Sequence, residues 1–270
     1  MPTILQHRRV TASEASPDRW LLILHGIYGS GRNWRGIARR LVEARPEWGV
    51  ILPDLRLHGG STGFDPPHTL QSAATDVEAL LDDLGTPAQA VLGHSFGGKV
   101  AIVYARDRPG GVAQVWVVDS TLEVREPSGS AWDLVETVGA LPERFPSRDA
   151  LVGALAPHGY SAPLAHWLGM NLERDGDSFR WRLDWKGAEE MLRDYFQTDV
   201  WGAIEAPPEG TEMHVIRATG SESLSDGDAD RIERAGASNG STFLHVVDGG
   251  HWINLDNPDA IVALVAKTLP

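Results

Sequence analysis

Gly93-His94-Ser95-Phe96-Gly97 is the stretch whose reading decides the fold. It has the form G-x-S-x-G and lies between an apolar run, Ala88 to Leu92, and a helical pattern, Gly97 to Asp107. A serine on a sharp strand-to-helix turn presents its hydroxyl at the sheet edge, and flanking glycines make room for the crowded backbone. The N–H groups at the start of the following helix also favour negative charge at this corner. The context carries the reading, because Gly and Ser are common enough to produce the five letters by chance.

Working outward, the segments on either side alternate between strand and helix. Trp20 to Leu24 is a continuous apolar run of the kind buried parallel strands show. Arg35 to Ala44 places Ile37, Ala38, Leu41 and Val42 on one helical face. Gly49 to Leu55 reads as a strand, Leu70 to Leu84 as an amphipathic helix, and Val112 to Val118 as a strand. From Thr121 to Ala206 the pattern becomes helix and loop with no strong strand alternation, and five of the ten tryptophans fall there. The rhythm returns with strands at Met213 to Ala218 and Thr242 to Val247, and helices at Asp228 to Ala235 and Asp259 to Leu269. This predicts an α/β protein: one domain over residues 1–270, with a helical cap inserted at 121–206 and a hinge at Pro207 to Gly210.

Composition narrows the function classes. The chain has 270 residues, 42% hydrophobic, which is enough for a sizeable core. Its net charge of −13 argues against nucleic acid or an anionic membrane as partner, and Arg8-Arg9 and Arg39-Arg40 read as solvated faces. There is no cysteine, so disulfides, thiolate metal sites and a cysteine nucleophile are excluded. Residues Met1 to Val10 have no signal-peptide core, and no apolar run reaches the roughly 18 residues of a membrane span. The expectation is a cytoplasmic protein, monomer or homodimer, acting on a small molecule.

Three further segments carry chemistry. His25-Gly26-Ile27-Tyr28-Gly29-Ser30 follows the first apolar strand, and the N–H groups of Ile27 and Phe96 are candidate donors to an oxyanion. Gly249-Gly250-His251-Trp252 follows the last strand, which makes His251 the candidate base for Ser95. The acid that orients the imidazole is read as Asp119, flush with its strand end, with Glu222 as the alternative and Asp226 and Asp228 nearby. Asp248 reads as a turn residue. The loop Asp54-Leu55-Arg56-Leu57-His58-Gly59-Gly60-Ser61 reads as a structural brace built on an Asp–Arg pair. The spacing H-x-x-E-H or H-E-x-x-H does not occur, so no metal site is expected, and a Ser-His-acid mechanism needs no cofactor. The tryptophans of the insertion read as helix packing and as the wall of an apolar pocket above Ser95.

Together these residues resemble the α/β-hydrolase superfamily over essentially the whole chain. His25-Gly26 is similar to its oxyanion loop, Asp54 to Ser61 to its D-x-R-x-H-G-x-S loop, Gly93 to Gly97 to its nucleophile elbow, and Gly250-His251 to its histidine loop. The stretch through Gly98-Lys99 is similar to a branch of small bacterial serine esterases, whose acid follows the strand after the elbow. The resemblance implies a mostly parallel, eight-stranded-type sheet with helices on both faces. It also implies a Ser-His-acid esterase working through an acyl-enzyme. Carbon–carbon hydrolases, lactonases, amidases and cofactor-free haloperoxidases share these motifs, as does a non-catalytic ligand receptor on the same scaffold. Dehalogenases and epoxide hydrolases use an Asp nucleophile, against which Ser95 argues.

Overall fold

The computed structural model describes residues 3–270. In chain order the strands are β1 (His7–Val10), β2 (Arg19–Leu24), β3 (Trp48–Pro53), β4 (Ala90–His94), β5 (Gln114–Val118), β6 (Arg144–Phe145), β7 (Leu172–Asp175), β8 (Ser178–Trp181), β9 (Glu212–Ala218) and β10 (Thr242–Val247). The helices are α1 (Arg35–Ala44), α2 (Leu70–Leu84), α3 (Phe96–Arg106), α4 (Ser130–Gly139), α5 (Arg148–Leu155), α6 (Ala162–Leu168), α7 (Trp185–Gln197), α8 (Trp201–Glu205), α9 (Asp226–Asn239), α10 (Ile253–Asp256) and α11 (Pro258–Thr268).

The main sheet has the order β1-β3-β2-β4-β5-β9-β10, and all pairings are parallel except β1 with β3. It has seven strands among the described residues, one fewer than the eight-stranded type the resemblance implies. The central strands β3, β4 and β5 are buried at every residue, which is why they read as unbroken apolar runs. Side chains alternate between two cores. One face packs on α1 and α11 through Ile37, Leu41, Ile261 and Val265. The other packs on α2, α3 and α9 and continues into the insertion through Leu134, Leu151, Leu168 and Met191.

Between β5 and β9 the chain leaves the sheet. Most of this segment is helical, but it also forms a three-stranded antiparallel sheet, β6-β8-β7, where the sequence shows no strand alternation. β6 has two residues, and β7 and β8 are joined by the two-residue turn Gly176-Asp177 with Gly176 in the left-handed region. β1 is likewise absent from the sequence reading. Its Arg8 and Arg9 lie on an edge strand, so no apolar run marks it.

Candidate active site

Ser95 sits between β4 and α3 with φ 52° and ψ −118°, a strained backbone for a non-glycine residue. The turn is held by Ser95 N–H donating to the Val118 carbonyl (2.9 Å) and Gly98 N–H donating to the Ser95 carbonyl (2.8 Å). The two glycines are required by contact. A Cβ on Gly93 would strike the carbonyl of Gly97, and one on Gly97 would lie 2.6 Å from the carbonyl oxygens of Leu24 and His25. Phe96 is the first residue of α3, so its N–H has no acceptor within the helix.

Asp119 follows β5 with φ 47° and is fully buried. Its carboxylate accepts from His251 Nδ1 (2.7 Å), Ser221 Oγ (2.5 Å) and Ala218 N (3.2 Å). Burial pushes its pKa up, but the bonds from His251 and Ser221 outweigh it, and the net shift is downward. The structure therefore brings Asp119 and His251 together. Glu222 is exposed and makes no part of this cluster. The loop after β9 instead contributes the serines on either side of it: Ser221 on Asp119, and Ser223, whose Oγ lies 3.2 Å from His251 Nδ1. Sequence reasoning missed both, although they occupy the strand end where it looked for an acid. Asp226 forms an ion pair with Arg217 (2.6 Å), Asp228 caps α9, and Asp248 accepts from Thr219 Oγ1 (2.8 Å).

With Nδ1 engaged, Nε2 is the His251 nitrogen left to act on the cavity. Ser95 and His251 line one cavity of about 140 Å³, together with Ile27, Leu164, Trp167 and Trp252. His94, the second residue of the elbow, is a further side chain with no role in the reading of the sequence. It is buried, its ring centroid lies 4.8 Å from that of His251, and its Nε2 donates to the His251 carbonyl (2.7 Å). Burial, with the neighbouring His251, pushes its pKa down to about 3, so it is a neutral donor.

The loop Asp54 to Ser61 braces the site, but not through an Asp54–Arg56 pair. Arg56 pairs instead with Asp76 of α2 (2.6 Å), while Asp54 accepts from Gly31 N and Gly60 N (2.8 Å each). His58 Nδ1 donates to the Arg56 carbonyl and Nε2 accepts from Tyr28 N (2.9 Å). That acceptor role requires a neutral ring, and burial holds the His58 pKa at about 3. Tyr28 N–H is thereby used up, the backbone at Tyr28 has φ 63°, and Ile27 lines the cavity that holds Ser95. The Tyr28 hydroxyl donates to the Ala131 carbonyl of α4 (2.7 Å), tying this loop to the insertion.

A second tie lies on the other side of the elbow. Lys99 of α3 is fully buried and donates to the carbonyls of Glu123 (3.1 Å), Tyr195 (2.8 Å) and Thr198 (2.6 Å). Burial pushes its pKa down, to about 7. The Tyr195 hydroxyl accepts from Thr121 N (3.1 Å) and lies 3.2 Å from Ser120 Oγ, so α7 grips the two residues that follow Asp119.

A family model described as alpha/beta hydrolase fold matches residues 19–258. The chain belongs to this family. It is 27% identical over 255 residues to the sn-1-specific diacylglycerol lipase ABHD11 of Mus musculus, covering 91% of this chain and 80% of that one. It is 28% identical over 264 residues to the lipase LipV of Mycobacterium tuberculosis (strain ATCC 25618 / H37Rv), covering 92% of each. Among solved structures, a marine microorganism esterase superposes with a TM-score of 0.84 at 22% identity, over 99% of this chain and 100% of that one, a likeness of fold. No helix among the described residues is long and apolar enough to cross a membrane.

Proposed function

We propose that this protein is a serine hydrolase that cleaves carboxylic esters. The observation that carries the reading is the 2.7 Å contact between His251 Nδ1 and the buried Asp119 carboxylate, beside a cavity that Ser95 and His251 share. Lipases among the relatives support ester as the bond class.

Ser95 Oγ attacks the ester carbonyl as its proton passes to His251 Nε2. The N–H groups of Ile27 and Phe96 donate to the oxyanion, an interaction worth about 10²–10³ in rate per donor. Asp119 fixes the imidazole tautomer and stabilises the imidazolium. Collapse expels the alcohol, which takes the proton from His251. Water then gives a proton to His251 and attacks the acyl-Ser95 carbonyl, and the acid leaves as Ser95 recovers its proton. His94 holds the histidine loop through the His251 carbonyl. The cavity, at about 140 Å³, is smaller than the roughly 300–1,000 Å³ of pockets for drug-sized ligands, which suits a short acyl group.

The test is hydrolysis of p-nitrophenyl esters of graded acyl length by wild type and Ser95→Ala. Turnover that peaks at short chains and vanishes in the variant is expected. A folded wild type that leaves every ester intact would move the assignment to amide or carbon–carbon substrates, or to a receptor.

A further inference from the structure

A second, larger cavity of about 460 Å³ adjoins the first, and Tyr28 and Trp167 line both. Its chemistry is different. Arg8 of β1, Arg32 of the turn before α1, and Arg182 after β8 all line it, and Asp54 is the one carboxylate among its lining residues. Both Asp54 oxygens already accept backbone N–H groups, from Gly31 and Gly60. None of the three arginines takes part in an ion pair among the described residues. Through Arg8 the basin continues into a further depression lined by Arg9, Arg35 and Arg39 against Glu43 alone.

Two things make this arrangement informative. The chain carries a net charge of −13, so acidic groups are plentiful elsewhere on the molecule, yet Asp54 is the one carboxylate lining this cavity, and it is engaged by the Gly31 and Gly60 N–H groups. The three arginines, all exposed to solvent, come from separate parts of the chain and line one cavity only in the fold, beside the cavity that holds Ser95. Arg182 Nη2 donates to the Met170 carbonyl (3.2 Å), but none of the three guanidinium groups has a carboxylate partner, and a cleft in which positive charge predominates concentrates anionic ligands. The planar guanidinium fork matches carboxylate and phosphate oxygens two at a time.

We propose that this cavity is a subsite for a carboxylate or phosphate group, and that the ester cleaved at Ser95 carries such a group at its far end, held beyond the Tyr28–Trp167 wall. What happens at Ser95 rests on the ester-hydrolase reading above; the anion subsite does not. Arg8, Arg32 and Arg182 set specificity and leave the reacting atoms untouched.

The experiment compares matched esters with and without a remote charge. On the acyl side the pair is p-nitrophenyl butyrate and p-nitrophenyl hydrogen glutarate. On the alcohol side it is phenyl acetate and 4-carboxyphenyl acetate. Glutarate and inorganic phosphate are titrated separately as inhibitors. In wild type, kcat/KM for the charged member of at least one pair should exceed that for its neutral partner by about tenfold, as charge-assisted hydrogen bonds would give. In the Arg32→Gln/Arg182→Gln double variant that preference should disappear, with neutral-ester turnover within about twofold of wild type. Inhibition by glutarate assigns the subsite to a carboxylate, and inhibition by phosphate alone to a phosphorylated tail. No charge preference in either pair, with inhibition by neither anion, overturns the proposal, as does a preference that survives the double variant. If wild type cleaves no ester at all, the hydrolase reading fails. The subsite is then judged by calorimetry: glutarate or phosphate binding that the double variant loses supports it, and no heat with either overturns it.

Discussion

Asp119 Oδ2 lies 2.7 Å from His251 Nδ1, although 132 residues separate them in the chain. The contact exists because β5, β9 and β10 are parallel neighbours in that order, so the loops that follow β9 and β10 both open at the strand end where Asp119 sits, the first bringing Ser221 and the second His251. Ser221 completes the cluster by donating to the same oxygen that faces His251. Asp119→Asn keeps the shape but gives His251 the wrong tautomer, and should lower kcat by about 10³–10⁴. Glu222→Gln, at an exposed position, should change it less than twofold. Ester kinetics of the two variants decide between them, and a large loss in Glu222→Gln would reassign the acid.

His58 and His94 make folding stability depend on pH. Their pKa values in the fold are about 3, while an exposed histidine titrates near 6.5. Between those values the unfolded chain binds protons that the folded chain refuses. Stability is therefore fully present above about pH 6.5 and declines as pH falls toward 3, by up to about 1.4 kcal/mol per pH unit for each histidine. Urea unfolding at pH 7.5, 6 and 5 should show the midpoint dropping. A midpoint unchanged between pH 7.5 and 5 would contradict the buried neutral rings.

Gly97→Ala tests the elbow's close approach. Its Cβ would press on two backbone carbonyls of β2 and the loop after it, and neither is free to rotate away. Loss of about 3 kcal/mol or failure to fold is expected, by thermal denaturation. Gly36→Ala, where the added Cβ meets nothing, is the control and should be neutral or slightly stabilising.

Lys99 joins the elbow helix to the insertion. Lys99→Met leaves three carbonyls without their donor and should cost about 3 kcal/mol. The loosening should be local, with faster amide exchange over residues 121–125 and 195–201 and little change in β2 or β3. Uniform exchange across the molecule would mean that the ammonium stabilises the whole fold and does not pin the insertion in particular.

The parts of this account legible in sequence are those set by local backbone geometry. Gly93, Ser95 and Gly97 announce a turn that few other residues could form, and β3, β4 and β5 are buried on both faces and so read as apolar runs. What escaped was set by convergence. Nothing near Asp119 says that Ser221 and Ser223 will reach it and its partner. Nothing near Arg56 says that its carboxylate is Asp76 and not Asp54. The cap sheet was missed because its strands are short and half-exposed, although the Gly176-Asp177 pair between β7 and β8 is a hairpin signal. The three arginines of the second cavity look like solvated surface until the fold assembles them.

The central claim is that Ser95 is the nucleophile of a hydrolase. Intact-protein and peptide mass spectrometry after treatment with a fluorophosphonate tests it most directly. One adduct, on the peptide holding Ser95, absent from Ser95→Ala and greatly slowed in Asp119→Asn, is the predicted result. A folded protein that takes no label, or labels equally in Ser95→Ala, would contradict the account.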